Sequence, residues 1–299
     1  MILERRAFMK EILILSSKGY KNSETTNYGD CILINTGSEL IIYDCGHERH
    51  AEEVINYMKK NGYQKAKFIL SHNDEDHFNG LPKLLEEDKI SVIRTTLLLK
   101  YKDEILDAID DKRKTRDSVA RDILNLYSNI AKLSGEPLED IYEHPEALCS
   151  EVSIVGPDFD YMIDTVAKRL DGREGDTQDG ETAVNATSIQ VKVKIGTHTL
   201  LLCGDSSFVP IEDKVRNYDA VQLPHHGKVK QAQKIFDKKS DQIHSVYVVS
   251  DNTGNSNGGS DDLDTTGHRV YNTKKNGNIV INASTFNPYS IKTGRTLGV

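Results

Sequence analysis

The chain has 299 residues, 37% of them apolar and 28% charged, with a formal net charge of −8. This length suits one large α/β domain or two small ones, and the apolar share excludes a disordered chain. No long basic block is present, which argues against a broad cationic surface for duplex DNA, although a bound metal can supply positive charge locally.

No apolar run reaches the roughly eighteen residues that a bilayer span needs. Residues 1–10 carry charges of both signs and no signal-peptide core, so a cytoplasmic protein without membrane contact is expected. In chain order, residues 11–16, 31–35 and 40–43 read as short strands, separated by turn-rich stretches at 21–30 and 36–38. Residues 51–61 place Val54, Ile55 and Met58 on one helical face. Phe68-Ile69-Leu70 reads as a buried strand ending at Ser71, and a helix is expected over 81–87.

After a strand over 91–99 the chain becomes highly charged. Ile105, Ile109, Val119, Ile123, Leu126, Ile130 and Leu133 recur there at the spacing of two amphipathic helices laid against the body. We expect a helical insertion at about 100–145 within a single domain spanning 1–299. Later strands are expected over 151–155, 188–195, 199–203, 220–223, 245–249 and 278–281, with polar loops at 171–181 and 251–262. No internal repeat of fixed period stands out, although the two halves share a strand-rich plan. Cys31, Cys45, Cys149 and Cys203 are far apart and form no C-x-x-C pair, which suits reduced thiols, mostly buried.

The densest chemistry lies in Ser71-His72-Asn73-Asp74-Glu75-Asp76-His77, between a buried strand and a helix. Imidazoles and carboxylates on a tight loop can turn toward one point and hold a metal. Without a cation, burying so many carboxylates together costs several kcal/mol. Two more apolar strands deliver similar groups at their ends. Leu200-Leu201-Leu202-Cys203-Gly204 leads to Asp205, and Val221-Gln222-Leu223-Pro224 leads to His225 and His226. Three strand ends presenting His and Asp suggest one shared metal site.

The order His72-x-Asp74-x-Asp76-His77, Gly204-Asp205, His225-His226-Gly227 resembles the metallo-β-lactamase superfamily. More narrowly, it is similar to the metallo-β-lactamase domain of ComEC-type DNA-uptake proteins. Gly29-Asp30 before an early strand, Asp44-Cys45-Gly46 after the next, an aspartate at 74, Asn185-x-x-Ser188 and the segment 269–279 carry that likeness. It runs from about residue 11 to 283.

The resemblance implies an α/β fold, an αββα sandwich with the metal site at one edge. It also implies one or two divalent ions, zinc or manganese. His72 and Asp74 would serve one position and Asp76 and His77 the other, with Asp205 bridging. His225, nearest the strand end, would complete the second position, leaving His226 to contact substrate or leaving group. Asp44 would orient a ligand histidine.

Most dinuclear members place another histidine before the bridging aspartate. His144 and His198 are the weak candidates here. Asn185 stands closer to the expected place, and an amide suits a harder ion such as manganese. His47, His50, His244 and His268 read as ordinary, and Lys228 and Lys230 as loop residues within reach of an anion.

The implied activity is hydrolysis by a water that the metal acidifies, with Asp76 orienting it. The target would be phosphodiester bonds of an anionic nucleic acid or nucleotide. Thioester or other acyl hydrolysis, and a non-catalytic metal-binding sensor or partner module, are the alternatives. No particular protein partner is indicated.

Overall fold

The computed structural model describes residues 11–172, 177–255 and 259–287. The first half of the chain supplies β1 (Glu11–Ile14), β2 (Cys31–Asn35), β3 (Leu40–Cys45), β4 (Ala66–Ile69), β5 (Ile90–Thr95) and β6 (Leu138–Asp140). Next come β7 (Val152–Gly156) and a small hairpin of β8 (Thr177–Gln178) and β9 (Glu181–Thr182). The rest are β10 (Gln190–Ile195), β11 (His198–Leu202), β12 (Ala220–Gln222), β13 (Val246–Val249), β14 (Arg269–Asn272) and β15 (Ile279–Ile281).

They form a seven-stranded sheet, ordered β15-β1-β2-β3-β4-β5-β6, and a six-stranded sheet, ordered β14-β13-β12-β11-β10-β7. Each sheet follows one plan. An antiparallel meander (β1-β2-β3 in the first, β7-β10-β11 in the second) runs into parallel strands (β4-β5-β6 and β12-β13-β14). The C-terminal ends of parallel strands are where open α/β sheets collect ligands, and all the candidate site residues lie just beyond such ends or the meander ends beside them.

The near-continuous apolar runs follow from burial of both faces. In β2, Leu33 faces the helices while Ile32 and Ile34 face the other sheet. In β11, Leu201 faces the helix Val229–Lys238 while Leu200 and Leu202 face the first sheet. The helices on the first sheet are α1 (Glu48–Asn61), α2 (Glu75–Phe78), α3 (Leu81–Glu86), α4 (Lys102–Ala108), α5 (Arg116–Leu126), α6 (Ser128–Ala131) and α7 (Phe159–Asp171). A further turn of helix, α8 (Ala183–Ala186), precedes β10. The molecule is thus two sheets flanked by helices, as expected.

The charged segment after β5 differs in detail. Its helices α4, α5 and α6 form the crossover that carries the chain from β5 to the parallel β6. Ile105, Val119, Ile123 and Ile130 of this crossover are buried in the core of the first sheet. The expected strand over 91–99 stops at Thr95, and Leu98–Tyr101 coils into a 3-10 turn. Strand β6 was not foreseen because Leu138-Glu139-Asp140 offers one apolar residue to read. Helices α7 and Val229–Lys238 were also missed. Their buried faces (Met162, Val166 and Ala167; Ala232, Ile235 and Phe236) alternate with charges in a way that strand-like windows obscure. Among the described residues, no helix is long and apolar enough to cross a membrane.

Candidate metal centre

The loop after β4 begins at Ser71, whose backbone N–H donates to Asp44 Oδ1 at 2.7 Å, and turns into α2 at Glu75. Two glycines allow this loop to pack against the ends of β2 and β3. A Cβ on Gly29 would stand 1.7 Å from the Asp76 carbonyl oxygen, and one on Gly46 would stand 1.9 Å from it. That oxygen instead accepts a hydrogen bond from Asp30 N at 2.9 Å. The Gly-Asp and Asp-x-Gly pairs seen in the sequence are therefore the surfaces on which the motif loop sits.

Four histidines share one arrangement, Nδ1 held by an oxygen and Nε2 turned inward. His72 Nδ1 meets Ser71 Oγ at 2.8 Å, and His77 Nδ1 meets Asp44 Oδ2 at 2.9 Å. His225 Nδ1 meets Glu181 Oε2 at 2.6 Å, and His226 Nδ1 meets Asp30 Oδ1 at 3.0 Å. Their Nε2 atoms surround Asp205. His77 lies 3.3 Å from Oδ1, while His72, His225 and His226 lie 4.0, 3.7 and 3.7 Å from Oδ2. Asp74 Oδ2 stands 3.7 Å from His72 Nε2, and Asp76 Oδ2 stands 3.1 Å from His226 Nε2. Asn27 Nδ2 donates to the same Asp76 oxygen at 2.8 Å.

The histidine pair reaches this position through an unusual backbone. His225 has φ 52°, His226 φ 54° and Gly227 φ 81°, three successive residues in the left-handed region. Such a conformation costs roughly 1–2 kcal/mol for each residue with a Cβ. It splays the two rings, whose planes lie 67° apart. Strain of this kind collects where function demands a geometry that a relaxed chain would not adopt.

These donors fit divalent cations. Two ligand atoms about 2.1 Å from one tetrahedral ion stand about 3.4 Å apart, close to the separations around Asp205. His72 Nε2, His77 Nε2, Asp205 Oδ1 and Asp30 Oδ2 are buried without a hydrogen-bond partner among the described residues. Asp30, His77, Asp205 and His226 offer donor atoms all within 4.8 Å of one another. Because Asp30 already holds His226 Nδ1, its part is to orient that ring.

The electrostatics point the same way. Burial disfavours charge on His77 and His226. Asp205 with Asp44 at the first, and Asp205 with Asp30 at the second, outweigh it and hold both imidazoles well above their ordinary pKa. Burial likewise works against ionised Asp205, yet His77, His226 and His225 hold it well below the usual carboxylate range. The centre attracts positive charge, which protons or metal ions can supply.

The sequence pointed to His225 as the ligand beside Asp76 and to His226 as a group facing substrate. The structure sets His226 against Asp76, fully enclosed, while His225 is the more accessible of the pair. Of the candidates for an additional ligand, His144 pairs with Glu146 and His198 stacks on Phe286. Asn185 is buried, but its Oδ1 accepts from Thr182 Oγ1 at 2.7 Å. Among the described residues, no hydrogen bond or ion pair joins any of the three to Asp205.

Lys228, read as a loop cation, donates to Glu181 Oε2 at 2.8 Å and to the Gly180 carbonyl at 3.0 Å. Lys230 lies on the helix Val229–Lys238 beside Gly180. His50 is buried with both ring nitrogens unpaired, between Tyr20 and Tyr28. Two carboxylates that stand behind these histidines were not foreseen as such. Asp30 was visible within the Gly-Asp pair, whereas Glu181 sat in a stretch read only as a polar loop.

The sequence profile of the Metallo-beta-lactamase superfamily matches residues 25–250 of this chain. No curated protein sequence matches significantly. Among solved structures, a metal-dependent hydrolase of the beta-lactamase superfamily is similar at 15% identity, with 82% of this chain and 89% of that one covered and a TM-score of 0.46. A diphosphatase from the PhnP family is 11% identical, covering 91% and 97%, with a TM-score of 0.43. The metallo-beta-lactamase fold protein YhfI from Bacillus subtilis is 13% identical, covering 71% and 70%, with a TM-score of 0.39.

Proposed function

The chain belongs to the metallo-beta-lactamase superfamily, whose members are metal-dependent hydrolases, and from that premise we propose that it hydrolyses phosphodiester bonds of a nucleic acid or nucleotide. The observation that carries this is the convergence of four imidazole Nε2 atoms and the carboxylates of Asp74 and Asp76 around Asp205. His72, Asp74, Asp76, His77, Asp205 and the His225–His226 pair would hold the ions, zinc or manganese. When bound, divalent ions supply an acidified water and neutralise negative charge on the phosphate. The ComEC-type likeness of the motifs supports the choice of a phosphodiester, and the carboxylate-rich donor set suits hard ions that take phosphate oxygens.

The residues divide the remaining work. Asp76 Oδ2 accepts from Asn27 Nδ2, which leaves its other oxygen to orient the attacking water and accept its proton. Asp44 and Asp30 hold His77 and His226 in the tautomer with Nε2 free to bind. Lys228 is engaged by Glu181, so attraction of an anionic substrate would fall to ions held by the donor set around Asp205.

Purified protein equilibrated with Mn²⁺ or Zn²⁺ should cleave bis(p-nitrophenyl) phosphate or a labelled oligonucleotide. The paired change Asp76→Asn and His77→Ala should lower the rate by more than about 10³-fold with the circular dichroism unchanged. Absence of cleavage with every divalent ion, at full occupancy and on varied nucleic acids and nucleotides, overturns the proposal.

One observation favours acyl hydrolysis as a second reading. A cavity of about 260 Å³ lies between Leu98, Leu99, Ile123, Leu124 and Ile130, with Tyr127 on its wall. The crossover that builds it is tied to the metal loop, since Asn73 Oδ1 accepts from Asn129 N at 2.9 Å and Ile130 N at 3.0 Å. Faster turnover of a p-nitrophenyl octanoate ester than of any phosphodiester would establish that reading instead.

A further inference from the structure

The proposed site has an uneven donor set. Among the described residues, His77, His226 and Asp205 bring donor atoms within 4.8 Å of one another and Asp76 adjoins His226, whereas His72 and Asp74 contact each other and stand outside that group. Of the residues that might have completed that side, His144 and His198 are engaged elsewhere, and Asn185 turns its Oδ1 to Thr182 Oγ1. We propose that His225 is the missing third ligand of the His72–Asp74 position, and that Glu181 is the positioning carboxylate that turns it there. The adjacent histidines thus serve different ions.

Three observations carry this. First, His225 follows the rule of the other three site histidines. Its Nδ1 is held by an oxygen, and its Nε2 lies 3.7 Å from Asp205 Oδ2, the oxygen that His72 Nε2 approaches at 4.0 Å and His226 Nε2 at 3.7 Å, while His225, like His72, stands outside the close group of His77, Asp205 and His226. Second, His226 Nε2 stands 3.1 Å from Asp76 Oδ2, which groups it with Asp76 and His77 rather than with His72 and Asp74. The successive left-handed residues at 225 and 226 are what separate them.

Third, Glu181 is set in place with unusual care for a residue of a short hairpin. It is 1% exposed, and it accepts from Lys228 Nζ at 2.8 Å and Gln231 Nε2 at 3.0 Å as well as from His225. Gln231 also donates to the Asp179 carbonyl at 3.1 Å, and Lys228 to that of Gly180 at 3.0 Å, so Lys228 and the helix after it grip the hairpin turn just before Glu181. A carboxylate behind a histidine fixes its tautomer and strengthens it as a ligand.

This inference rests on the proposed metal centre, and the test separates the two. Metal-free wild type, His225→Ala, His226→Ala and Glu181→Gln are titrated with Zn²⁺ and with Mn²⁺ by calorimetry. Bound ions are counted by mass spectrometry after dialysis, and Co²⁺ spectra are recorded in parallel.

Wild type should bind two ions. His225→Ala should keep one at its wild-type affinity and lose the Co²⁺ absorption of the other. Glu181→Gln should keep two, with one weakened about 10–100-fold and the other unchanged. His226→Ala should impair the opposite position. Circular dichroism of the metal-free proteins checks the fold, and the near-isosteric Glu181→Gln carries the test if His225→Ala does not fold.

Two ions of unchanged affinity in both His225→Ala and Glu181→Gln overturn the inference while leaving the metal centre standing. A wild type that binds one ion also overturns it. A wild type that binds none overturns the metal centre itself.

Discussion

The two halves of the molecule repeat one strand plan and feed one centre, but they deliver their imidazoles and carboxylates differently. The first half concentrates His72, Asp74, Asp76 and His77 in one loop after β4, seated on glycines that admit the backbone of Asp76. The second half spreads Asp205, His225 and His226 over the ends of β11 and β12. It needs a left-handed turn and a carboxylate from a distant hairpin to aim them. Dense local motifs require little tertiary help, whereas dispersed ligands depend on strain and on groups that pack against them from elsewhere.

The strongest way to break this comparison is to remove the residue on which both halves meet. Asp205→Ala should abolish binding of every ion and lower hydrolysis by more than about 10³-fold, read by metal counting and initial rates. Loss of one ion only would mean that the halves do not share Asp205. A sharper contrast comes from the carboxylates behind the histidines. Asp44→Asn in the first half and Asp30→Asn in the second should each weaken metal affinity about 10–100-fold, in competition titrations with a fluorescent chelator. Weakening of the same ion by both changes would show that His77 and His226 serve one position, and of different ions that they do not.

The seating of the first-half loop can be tested without touching a ligand. Gly29→Ala places a Cβ 1.7 Å from the Asp76 carbonyl oxygen at φ 64°. It should cost about 1–3 kcal/mol, measured by denaturant unfolding of the metal-free protein.

The smallest effect is expected at His50, a buried group of the first half that serves no ligand. Burial foremost, with His47 adding, pulls its pKa down to about 3. The unfolded chain therefore takes up a proton near pH 6.5 that the folded chain refuses, so stability is lost as pH falls from about 6.5 toward 3. His50→Leu should flatten part of that acid limb in thermal melts, and an unchanged limb would assign it to other groups.

Much of the fold could be read from the chain because β2, β3, β4 and β11 are apolar runs buried on both faces, a pattern that few other structures produce. The crossover helices were legible through Ile105, Val119 and Ile123. Helix α7 and strand β6 were not, since a charged amphipathic stretch and a three-residue strand carry too little periodicity to stand out. At the site, the loop 72–77 announced itself through the local density of its donors. Glu181 did not, because a glutamate in a glycine-rich polar segment looks the same whether it is solvated or buried behind a histidine.

By itself the sequence determined which residue types could bind a metal and that strand ends would present them, because both depend on neighbours a few positions apart. Only the tertiary structure decided how the two histidine rings are splayed, which carboxylates stand behind each ring, and that Asp205 lies between them. Those relations join residues as far apart as Asp30 and His226, or Glu181 and His225. They are set by how two sheets pack and how one turn is strained, and no local pattern in the chain encodes either.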